Sequence, residues 1–554
     1  MSFILTALGK FLALMPRGAA HAVCRGVGFL IAEFPSPRRR AFFANIKRCR
    51  PDLDERGVRL FARKSAAYTV EMALFVLASP YISENELKRR VRVSEHLRGE
   101  LKKREGSRRA ALLLCPHFCM MESITLMPAI SESKFSETGV FYRPFDNPSL
   151  ERWIKSTREK YGLKLLSRKD GLFAAADFLK NGGNIALLFD QNSGGSGILT
   201  LFMGMLAAST DLGGILADKI DCDVAIFWAR RAGFWQSEIC GEYLEKGETP
   251  EETVFCANKW LEQKLLGDAD FSAQWLWLHK RWKTQKSDSG RFRIWHRGGH
   301  ALSENLKFLG LESLPRKLPF FVWASENPLW AICSVAALRA LRKGRADALF
   351  VGILPDYLRG VFESAQVFEK TFIREGKGGL SAAQIKELYN SYGELEIMFE
   401  NTKASRAAAK KIGAERVYYF GSAKENKIKG AYFAEPAGAE KCGALARFGA
   451  FLKNFGLREE FDFSDIILGG SGAEIVALLC PENADICAIK KALEERLAGA
   501  NASGKAAILC EFESVRKALQ KSFEGGGIEF YSASDLNAAK PAIQNACKIS
   551  FLKI

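Results

Sequence analysis

The sequence predicts an α/β protein, and two observations support that fold class. Short apolar runs bounded by charge, Pro or Gly read as buried strands, and helical patterns separate them over the first 285 residues. The same alternation returns at residue 318 and continues more weakly towards the C-terminus. Strands and helices that alternate at this spacing are typical of α/β sheets.

The individual elements follow from local patterns. Apolar runs predict strands at residues 109–115, 139–142, 184–189, 318–323 and 347–353. Helical periodicity predicts helices at residues 150–161 and 171–180, and most of the remaining chain over 55–130 reads as helix.

Length and composition restrict the class of protein. With 554 residues and 48% apolar positions, the chain is neither disordered, nor collagen-like, nor a small disulfide scaffold. Two to four domains are expected at this length, at roughly 100–200 residues each. The 13 cysteines form no CxxC pair, and Cys115 and Cys119 are the closest two. We therefore expect a reducing, cytosolic compartment and no zinc site. No cofactor and no other metal are expected.

The chain is strongly basic, with a formal charge of +17. A surface of this kind favours anionic partners, which include nucleic acid, anionic lipid and acidic carrier proteins. The sequence has no recognisable groove-reading or RNA-stacking motif, so a nucleic-acid partner is not expected.

Residues 1–50 carry much of this charge beside apolar stretches. They hold nine basic side chains and one acid, Glu33. No uninterrupted apolar run reaches the roughly 18 residues of a spanning helix, and no signal-peptide cleavage pattern follows Met15. The pattern predicts a segment that lies in a membrane interface, although a buried N-terminal helix with solvated basic neighbours is the alternative.

The sharpest local signal is Pro116-His117-Phe118-Cys119-Met120-Met121-Glu122, which follows a predicted strand. An imidazole there is expected at the carboxyl end of the strand, where α/β sheets place their chemistry. A carboxylate five positions on can return to the ring and stabilise the imidazolium, and a substrate would supply the hydroxyl. A structural histidine at the sheet edge is the alternative. The enzymatic hypothesis requires an accessible ring, and it fails if the ring is sealed in the interior or turned away from Glu122 with no adjoining apolar channel.

Further motifs occur in a fixed order along the first half. They are Phe42-Phe43-Ala44-Asn45-Ile46, His117 with Glu122, Tyr142-Arg143-Pro144 with Asn147, Arg158 with Gly162, Asp190-Gln191, Phe202-Met203-Gly204, Ala229-Arg230 and His279-Lys280-Arg281-Trp282-Lys283. In order and spacing, residues 1–285 resemble the lipid A biosynthesis (lauroyl/myristoyl) acyltransferases of Gram-negative bacteria. The chain departs from that family at Cys119, Met120 and Met121, where the family usually has Gly-Asn-Trp.

The resemblance implies a site and a fold. It implies a glycerolipid-acyltransferase-like αβ domain over residues 51–285, with His117 and Glu122 as catalytic residues. It further implies substrate-binding roles for Arg143, Asn147, Arg158, Asp190, Gln191 and Arg230. Arginine suits phosphate groups of the acceptor or of phosphopantetheine, but a structural ion pair is the alternative for Arg143 and Arg230. For Asp190, anchoring a turn is the favoured alternative.

The resemblance also implies a reaction. His117 would deprotonate a hydroxyl of a lipid A precursor glycolipid, Glu122 would fix the ring, and the alkoxide would attack an acyl thioester. The expected donor is acyl carrier protein or acyl-CoA. The expected location is the cytoplasmic face of the inner membrane, with peripheral or monotopic attachment to an anionic surface.

From about residue 316, the chain resembles the heptosyltransferase-like enzymes of glycosyltransferase family 9. Asn327-Pro328-Leu329-Trp330-Ala331 and the helix 336–342 carry that resemblance. It implies a Rossmann-like α/β lobe over 316–460 and a truncated second lobe over 461–554, joined to the first half by a linker over 286–315. Trp330-Ala331 stands where the family has Gly-Asp with its catalytic base, so a degenerate, non-catalytic domain is predicted. It is expected to bind glycolipid or to steady the acyltransferase on the membrane.

Two alternatives to a single acyltransferase activity stay open. In one, the protein is a bifunctional enzyme whose second half still transfers a sugar. In the other, the whole chain is a non-catalytic membrane scaffold.

Overall fold

The computed structural model describes most of the chain. The described residues are 2–107, 109–132, 137–167, 171–282, 302–375, 379–399, 402–419, 439–454, 457, 461–468, 474–479, 485–498, 506–510, 512–523, 528–532, 535–546 and 548–553. The chain divides into two compact units. Unit 1 comprises residues 1–283 with 295–313, and unit 2 comprises residues 284–294 with 314–554.

The described helices of unit 1 surround one large sheet. They are α1 (Ser2–Leu14), α2 (Arg17–Glu33), α3 (Pro37–Cys49), α4 (Glu55–Ala78), α5 (Glu84–Arg90), α6 (Glu95–Lys103), α7 (Met127–Ile130), α8 (Pro148–Arg158), α9 (Gly171–Lys180), α10 (Leu212–Lys219), α11 (Pro250–Gly267), α12 (Ala269–Ala273) and α13 (Leu302–Leu309). Short 3-10 helices lie at Ser79–Tyr81, Met121–Leu126 and Glu159–Tyr161. Their starts follow local chemistry: Asn147 accepts the first free N–H groups of α8, and Pro148 occupies its first turn.

The strands of unit 1 form a seven-stranded sheet and a separate hairpin. They are β1 (Val91–Val93), β2 (Ala111–Cys115), β3 (Thr138–Tyr142), β4 (Lys164–Ser167), β5 (Asn184–Leu188), β6 (Ile198–Phe202), β7 (Met205–Ser209), β8 (Asp223–Gly233) and β9 (Gln236–Tyr243). The sheet order is β1-β9-β8-β2-β5-β3-β4, in which β8 and β9 pair antiparallel and the other neighbours pair parallel. The hairpin is β6-β7.

Two central strands set up the site. β2 and β5 are parallel neighbours, and Cys115 pairs in register with Leu188. All five residues of β2 are buried, which is why the run reads as continuously apolar. Because parallel strands end at the same edge of a sheet, the residues two positions beyond each strand, His117 and Asp190, are brought side by side.

The helices α1 and α2 both pack on α4, and α2 does so through a narrow seam of small residues. On α2 the buried positions are Ala20, Cys24, Gly28 and Ala32, spaced four apart along one stripe. A side chain at Gly28 would meet the backbone of Ala67 at 2.5 Å, so the close approach of α2 to α4 requires glycine there. The wider faces of both helices point away from the unit and carry large apolar side chains.

No single helix among the described residues has the length and apolar character of a membrane span. The α1 and α2 pair meets that criterion together, with a bend of 118° between the two helices.

The helix α13 occupies part of the segment predicted as a linker over 286–315. The Oδ1 atom of Asn305 accepts hydrogen bonds from the Thr200 hydroxyl at 2.6 Å and from the backbone N–H of Leu201 at 2.9 Å. Asn305 is fully buried against the hairpin. This helix therefore belongs to unit 1, and residues 283–301 lie outside the described part of the chain.

Unit 2 contains two further sheets. Its described strands are β10 (Leu318–Trp323), β11 (Ala348–Leu354), β12 (Lys370–Ile373), β13 (Leu395–Met398), β14 (Arg416–Tyr419), β15 (Ile466–Ile467), β16 (Glu474–Leu479), β17 (Ala506–Cys510), β18 (Glu529–Ser532) and β19 (Lys548–Lys553). Its described helices are α14 (Pro328–Gly344), α15 (Arg359–Ser364), α16 (Ala382–Asn390), α17 (Lys403–Ile412), α18 (Ala439–Asn454), α19 (Ile486–Ala498), α20 (Glu513–Ser522) and α21 (Leu536–Asn545), and a 3-10 helix lies at Asp356–Leu358.

The first sheet of unit 2 is parallel throughout, in the order β12-β11-β10-β13-β14. This order reverses at the first strand, as in doubly wound Rossmann-like folds. The second sheet has the order β15-β19-β16-β17-β18, with one antiparallel edge strand. The predicted α/β fold class is confirmed. Ala331 lies fully buried in α14, and the non-catalytic character of this half stays a prediction.

Candidate active site

His117 lies at the carboxyl end of β2, in a loop that the chain after α12 holds in place. The backbone N–H of Cys119 donates to the Gln274 carbonyl at 2.8 Å, and the backbone N–H of Leu276 donates to the His117 carbonyl at 3.0 Å. The residues before and after Trp275 thus hold the backbone on both sides of Phe118, directly after the histidine.

The side chain of Asp190 fixes the imidazole ring. One carboxylate oxygen, Oδ1, lies 2.5 Å from Nδ1 of His117. The other, Oδ2, accepts from the backbone N–H of His117 at 2.8 Å and from the Trp275 indole Nε1–H at 2.7 Å. Asp190 is 1% exposed, so three protein donors replace the water it would otherwise bind. Together these contacts orient the ring, which is buried: His117 is only 7% exposed, less than the accessible ring that the sequence predicts.

The protonation state of the pair follows from its surroundings. Burial alone would raise the pKa of the Asp190 carboxyl, but the charge of His117 and the hydrogen bonds from His117 and Trp275 lower that pKa to about 2. That charge belongs to the protonated ring. An ionised carboxylate can only accept, so when the ring is neutral its one proton sits on Nδ1. The other nitrogen, Nε2, accepts from the side-chain amide of Gln191 at 2.9 Å and carries the lone pair of a general base.

Glu122 differs from its predicted position. The spacing predicts that it returns to the His117 ring, but the structure pairs it with Arg158, whose Nε and Nη2 atoms each lie 3.0 Å from a carboxylate oxygen. The chain after His117 enters the 3-10 helix Met121–Leu126, and the planar guanidinium matches both carboxylate oxygens at once. The role of ring partner therefore passes to Asp190, which the sequence favours only as a turn anchor.

The Glu122–Arg158 pair is mostly buried, with side-chain exposures of 8% and 19%. Replacing Arg158 by Met is expected to destabilise the protein by about 3 kcal/mol, because it leaves a buried carboxylate without its partner. Chemical denaturation of the variant checks this. A second substitution, Glu122→Gln, should recover part of the loss.

A matched ion pair at the surface provides the control. Arg230 is 58% exposed on its side chain and pairs with Glu238 at 2.5 Å. Arg230→Met is expected to change the unfolding free energy by no more than about 1 kcal/mol, since exposed pairs contribute little. If both arginine substitutions lowered the free energy of unfolding equally, burial would not explain the effect at Arg158.

An apolar cavity opens beside this pair, on one face of the sheet. It holds about 690 Å³ of empty space including its mouth. Strands β2, β3, β5 and β8, the 3-10 helix and α7 provide its walls, which are lined by Leu113, Cys115, Met121, Glu122, Ile124, Thr125, Met127, Thr138, Val140, Arg158, Leu163, Ala186, Leu187, Leu188 and Phe227. Cys115 and Glu122 flank His117 in the chain, so the near end of the cavity borders the histidine loop.

The other predicted substrate residues have identifiable surroundings. Asn147 caps α8 through its Oδ1 atom, which accepts from the N–H groups of Ser149 and Leu150. Arg143 is exposed after β3. Arg230 is engaged with Glu238, as the ion-pair alternative foresees. Substrate binding by these three residues stays a prediction.

Sequence reasoning missed the role of the segment after α12 and of the Asn45 side chain that binds it. Trp275 donates to Asp190, and Asn45 of α3 donates to the carbonyls of Trp277 and His279 at 3.0 and 2.6 Å. Arg281 is fully buried, and burial lowers the pKa of its guanidinium to about 10. Two sequence features mark these residues: the Trp-rich stretch at 275–282 and the motif that contains Asn45. Neither feature indicates that this segment contacts Asp190.

The structure is similar to several solved glycosyltransferases. With a glycosyl transferase family 9 protein from Veillonella parvula it shares 11% identity over 39% of this chain and 70% of that chain, with a TM-score of 0.26. With the E. coli heptosyltransferase WaaC bound to ADP, identity is 11% over 40% and 78%, with a TM-score of 0.23. With E. coli ADP-heptose LPS heptosyltransferase II, identity is 7% over 41% and 76%, with a TM-score of 0.23.

Comparison with curated proteins gave no match. The sequence pattern of the bacterial lipid A biosynthesis acyltransferases, in contrast, matches residues 1–284, which is more than half of the chain and contains both His117 and Asp190. The predicted family is thereby confirmed for the first half, as is the enzyme class. The chain belongs to the bacterial lipid A biosynthesis acyltransferase family.

Proposed function

We propose that unit 1 transfers a fatty acyl chain from a thioester to a hydroxyl of a lipid A-type glycolipid, with His117 as the general base. The observation that carries this proposal is the His117–Asp190 pair, which holds the ring with Nε2 towards Gln191, together with an apolar cavity lined by Cys115 and Glu122 on either side of His117 in the chain. Acyl transfer from a thioester to an alcohol requires a group that accepts the hydroxyl proton and an apolar site that holds the acyl chain.

The proton moves through His117. The acceptor hydroxyl takes the place of the exposed Gln191 amide at Nε2 and gives its proton to that nitrogen. The hydroxyl oxygen attacks the thioester carbonyl carbon, and the tetrahedral oxyanion collapses with cleavage of the C–S bond. The leaving thiolate takes the proton back from Nε2, which yields an ester and a free thiol. Asp190 stabilises the imidazolium between the two transfers.

The cavity is the proposed site of the acyl chain. Its walls are mainly aliphatic, and burying each methylene group there contributes about 0.8 kcal/mol. Arg158 lines the same cavity and gives two of its N–H donors to Glu122. A guanidinium has five such donors, so Arg158 is the cationic group available to the carbonyl oxygen as charge develops.

The proposed donor is an acyl carrier protein, because an acidic carrier complements a chain with a formal charge of +17. The test incubates the purified full chain with a lipid A precursor in mixed micelles and either acyl carrier protein or CoA thioesters. Mass spectrometry should detect a precursor with one additional acyl chain, formed faster from the carrier. No product from either donor would overturn the proposal.

The proposed location is the surface of an anionic membrane. On the face of α1 opposite to α4, Phe3 and Leu14 are 82% and 85% exposed, and Phe11 lies between them. The exposed side chains of Lys10 and Arg25 border the apolar faces of α1 and α2. Apolar side chains that enter the acyl region, ringed by cations that meet anionic head groups, are typical of interfacial helices.

Removing two of these contacts should release the protein from membranes. The double variant Phe11→Asp, Leu14→Asp is expected to reduce binding to vesicles with anionic lipid at least tenfold, since each apolar side chain contributes about 2 kcal/mol when buried. Vesicle flotation measures the bound fraction. Phe173→Asp is the matched control, because Phe173 is 83% exposed on α9, away from α1 and α2 in the chain. Undiminished binding of the double variant would contradict the proposed location.

A further inference from the structure

A second cavity lies behind the proposed acyl cavity on the same face of the sheet. It is lined by small residues of the central strands, Ala111, Ala225 and Gly241, and by Leu97 and Leu101 of α6. Leu113 and Phe227 line both cavities. These two side chains therefore form the wall between the two cavities.

The strand geometry gives the spacing of the two cavities. Along β2, residues 115 and 113 border the first cavity, and residues 113 and 111 border the second. Alternate residues of a strand face the same side, so each cavity spans roughly 7 Å along the strand, the length of about four to six methylene groups. Removing the wall would thus extend the space by several carbon atoms.

The Phe227 ring is the larger part of the wall and is held by its neighbours. Phe227 pairs directly with Gly241 across β8 and β9. A side-chain carbon at Gly241 would lie 2.8 Å from the Phe227 ring and 3.0 Å from Leu97, so the absence of a side chain there makes room for the ring. Phe227 is only 5% exposed, and packing on both sides fixes its position.

Polar groups close the far end of the second cavity. Arg104 donates to the Asp223 carboxylate at 2.5 Å and to the Tyr243 hydroxyl at 2.7 Å. Arg104 and Tyr243 both line this end. An alkyl chain that passed Phe227 would find apolar walls first and then stop at this charged rim.

We infer that Phe227 and Leu113 form the floor of the acyl-chain site. The floor is the surface that closes the far end of the site and determines which chain lengths are accepted. This inference rests on the proposed acyl transfer. The terminal methyl group of the preferred acyl chain contacts the Phe227 ring, and longer chains are rejected because the ring blocks the second cavity. Substitution by a smaller residue joins the two cavities and shifts the preference to longer chains.

The experiment compares full-length Phe227→Ala with the wild type. It uses a series of saturated acyl-carrier-protein thioesters, each two carbons longer than the last. Relative to the wild-type optimum, kcat/KM for a donor four carbons longer should rise at least tenfold. Adding Ala111→Leu to Phe227→Ala refills the second cavity and should cancel that gain. Phe255→Ala removes a buried ring from α11 and should leave the length preference unchanged.

The outcomes separate the two proposals. If the wild type transfers acyl chains but Phe227→Ala keeps the wild-type length optimum, the floor is refuted and the proposed function stands. If the wild type transfers nothing from any donor, the proposed function fails and the inference with it. Should Phe227→Ala not fold, the smaller change Phe227→Leu serves the same test, and an unchanged optimum there also refutes the floor.

Discussion

Replacing His117 by Asn is expected to lower kcat for acyl transfer at least about 10³-fold while the protein stays folded, since general-base catalysis contributes roughly 10²–10⁴ in rate. The Asn amide lies close to where Nδ1 of the ring lies, so it can still donate to Asp190. What the variant lacks is Nε2, the nitrogen that accepts the substrate proton.

A second substitution separates chemistry from folding. His117→Ala removes the donor as well, so the ionised Asp190 stays buried without its main partner, and the melting temperature should fall together with the activity. His96→Ala is the control, because His96 is an exposed residue of α6 and its loss should change neither quantity. Rates come from a mass-spectrometric assay, and melting from circular dichroism. Activity of His117→Asn within tenfold of wild type would refute the base assignment.

Much of the fold could be predicted from local patterns. The run at 318–323 matches β10, the helix at 171–180 matches α9, and the strand at 109–115 contains β2. Each of these elements is specified by its own residues. A strand that is buried on both faces of a sheet has a continuous apolar run, and a helix has a 3.6-residue apolar period. The sequence predicts no strands for the β6-β7 hairpin, where it offers only the motif Phe202-Met203-Gly204, because the hairpin residues are buried on both faces and show no alternation.

The candidate site was predicted only in part, because its decisive contact joins distant residues. Asp190 and His117 are 73 positions apart, and they meet since β2 and β5 are neighbours although β3 and β4 lie between them in the chain. Both strands and both residues could be read from the sequence. The pairing of the strands could not, so the carboxylate nearest in sequence, Glu122, took the role of ring partner.

Replacing Asp190 by Asn is expected to lower kcat by about 10³–10⁴, although the two side chains have the same shape. Oδ2 of Asp190 accepts from two donors, the His117 backbone and the Trp275 indole, so an amide NH₂ group cannot sit there without opposing both. The amide must then turn its NH₂ group to Nδ1 of His117. That arrangement favours the ring tautomer with the proton on Nε2, which cannot accept a proton from the substrate.

Three measurements distinguish this positioning role from a merely structural one. The low-field imidazole N–H resonance of the wild type should disappear in Asp190→Asn, while KM changes little. Asp223→Asn removes a partly exposed carboxylate paired with Arg104 and Arg109 and should keep both the resonance and kcat.

Because the folded-state pKa of Asp190 is about 2, below the ordinary 3.8, its contribution to stability is complete above pH 4. The stability difference between wild type and Asp190→Asn should therefore shrink as the pH falls from about 4 towards 2. Retention of kcat and of the resonance in Asp190→Asn would show that another group orients His117.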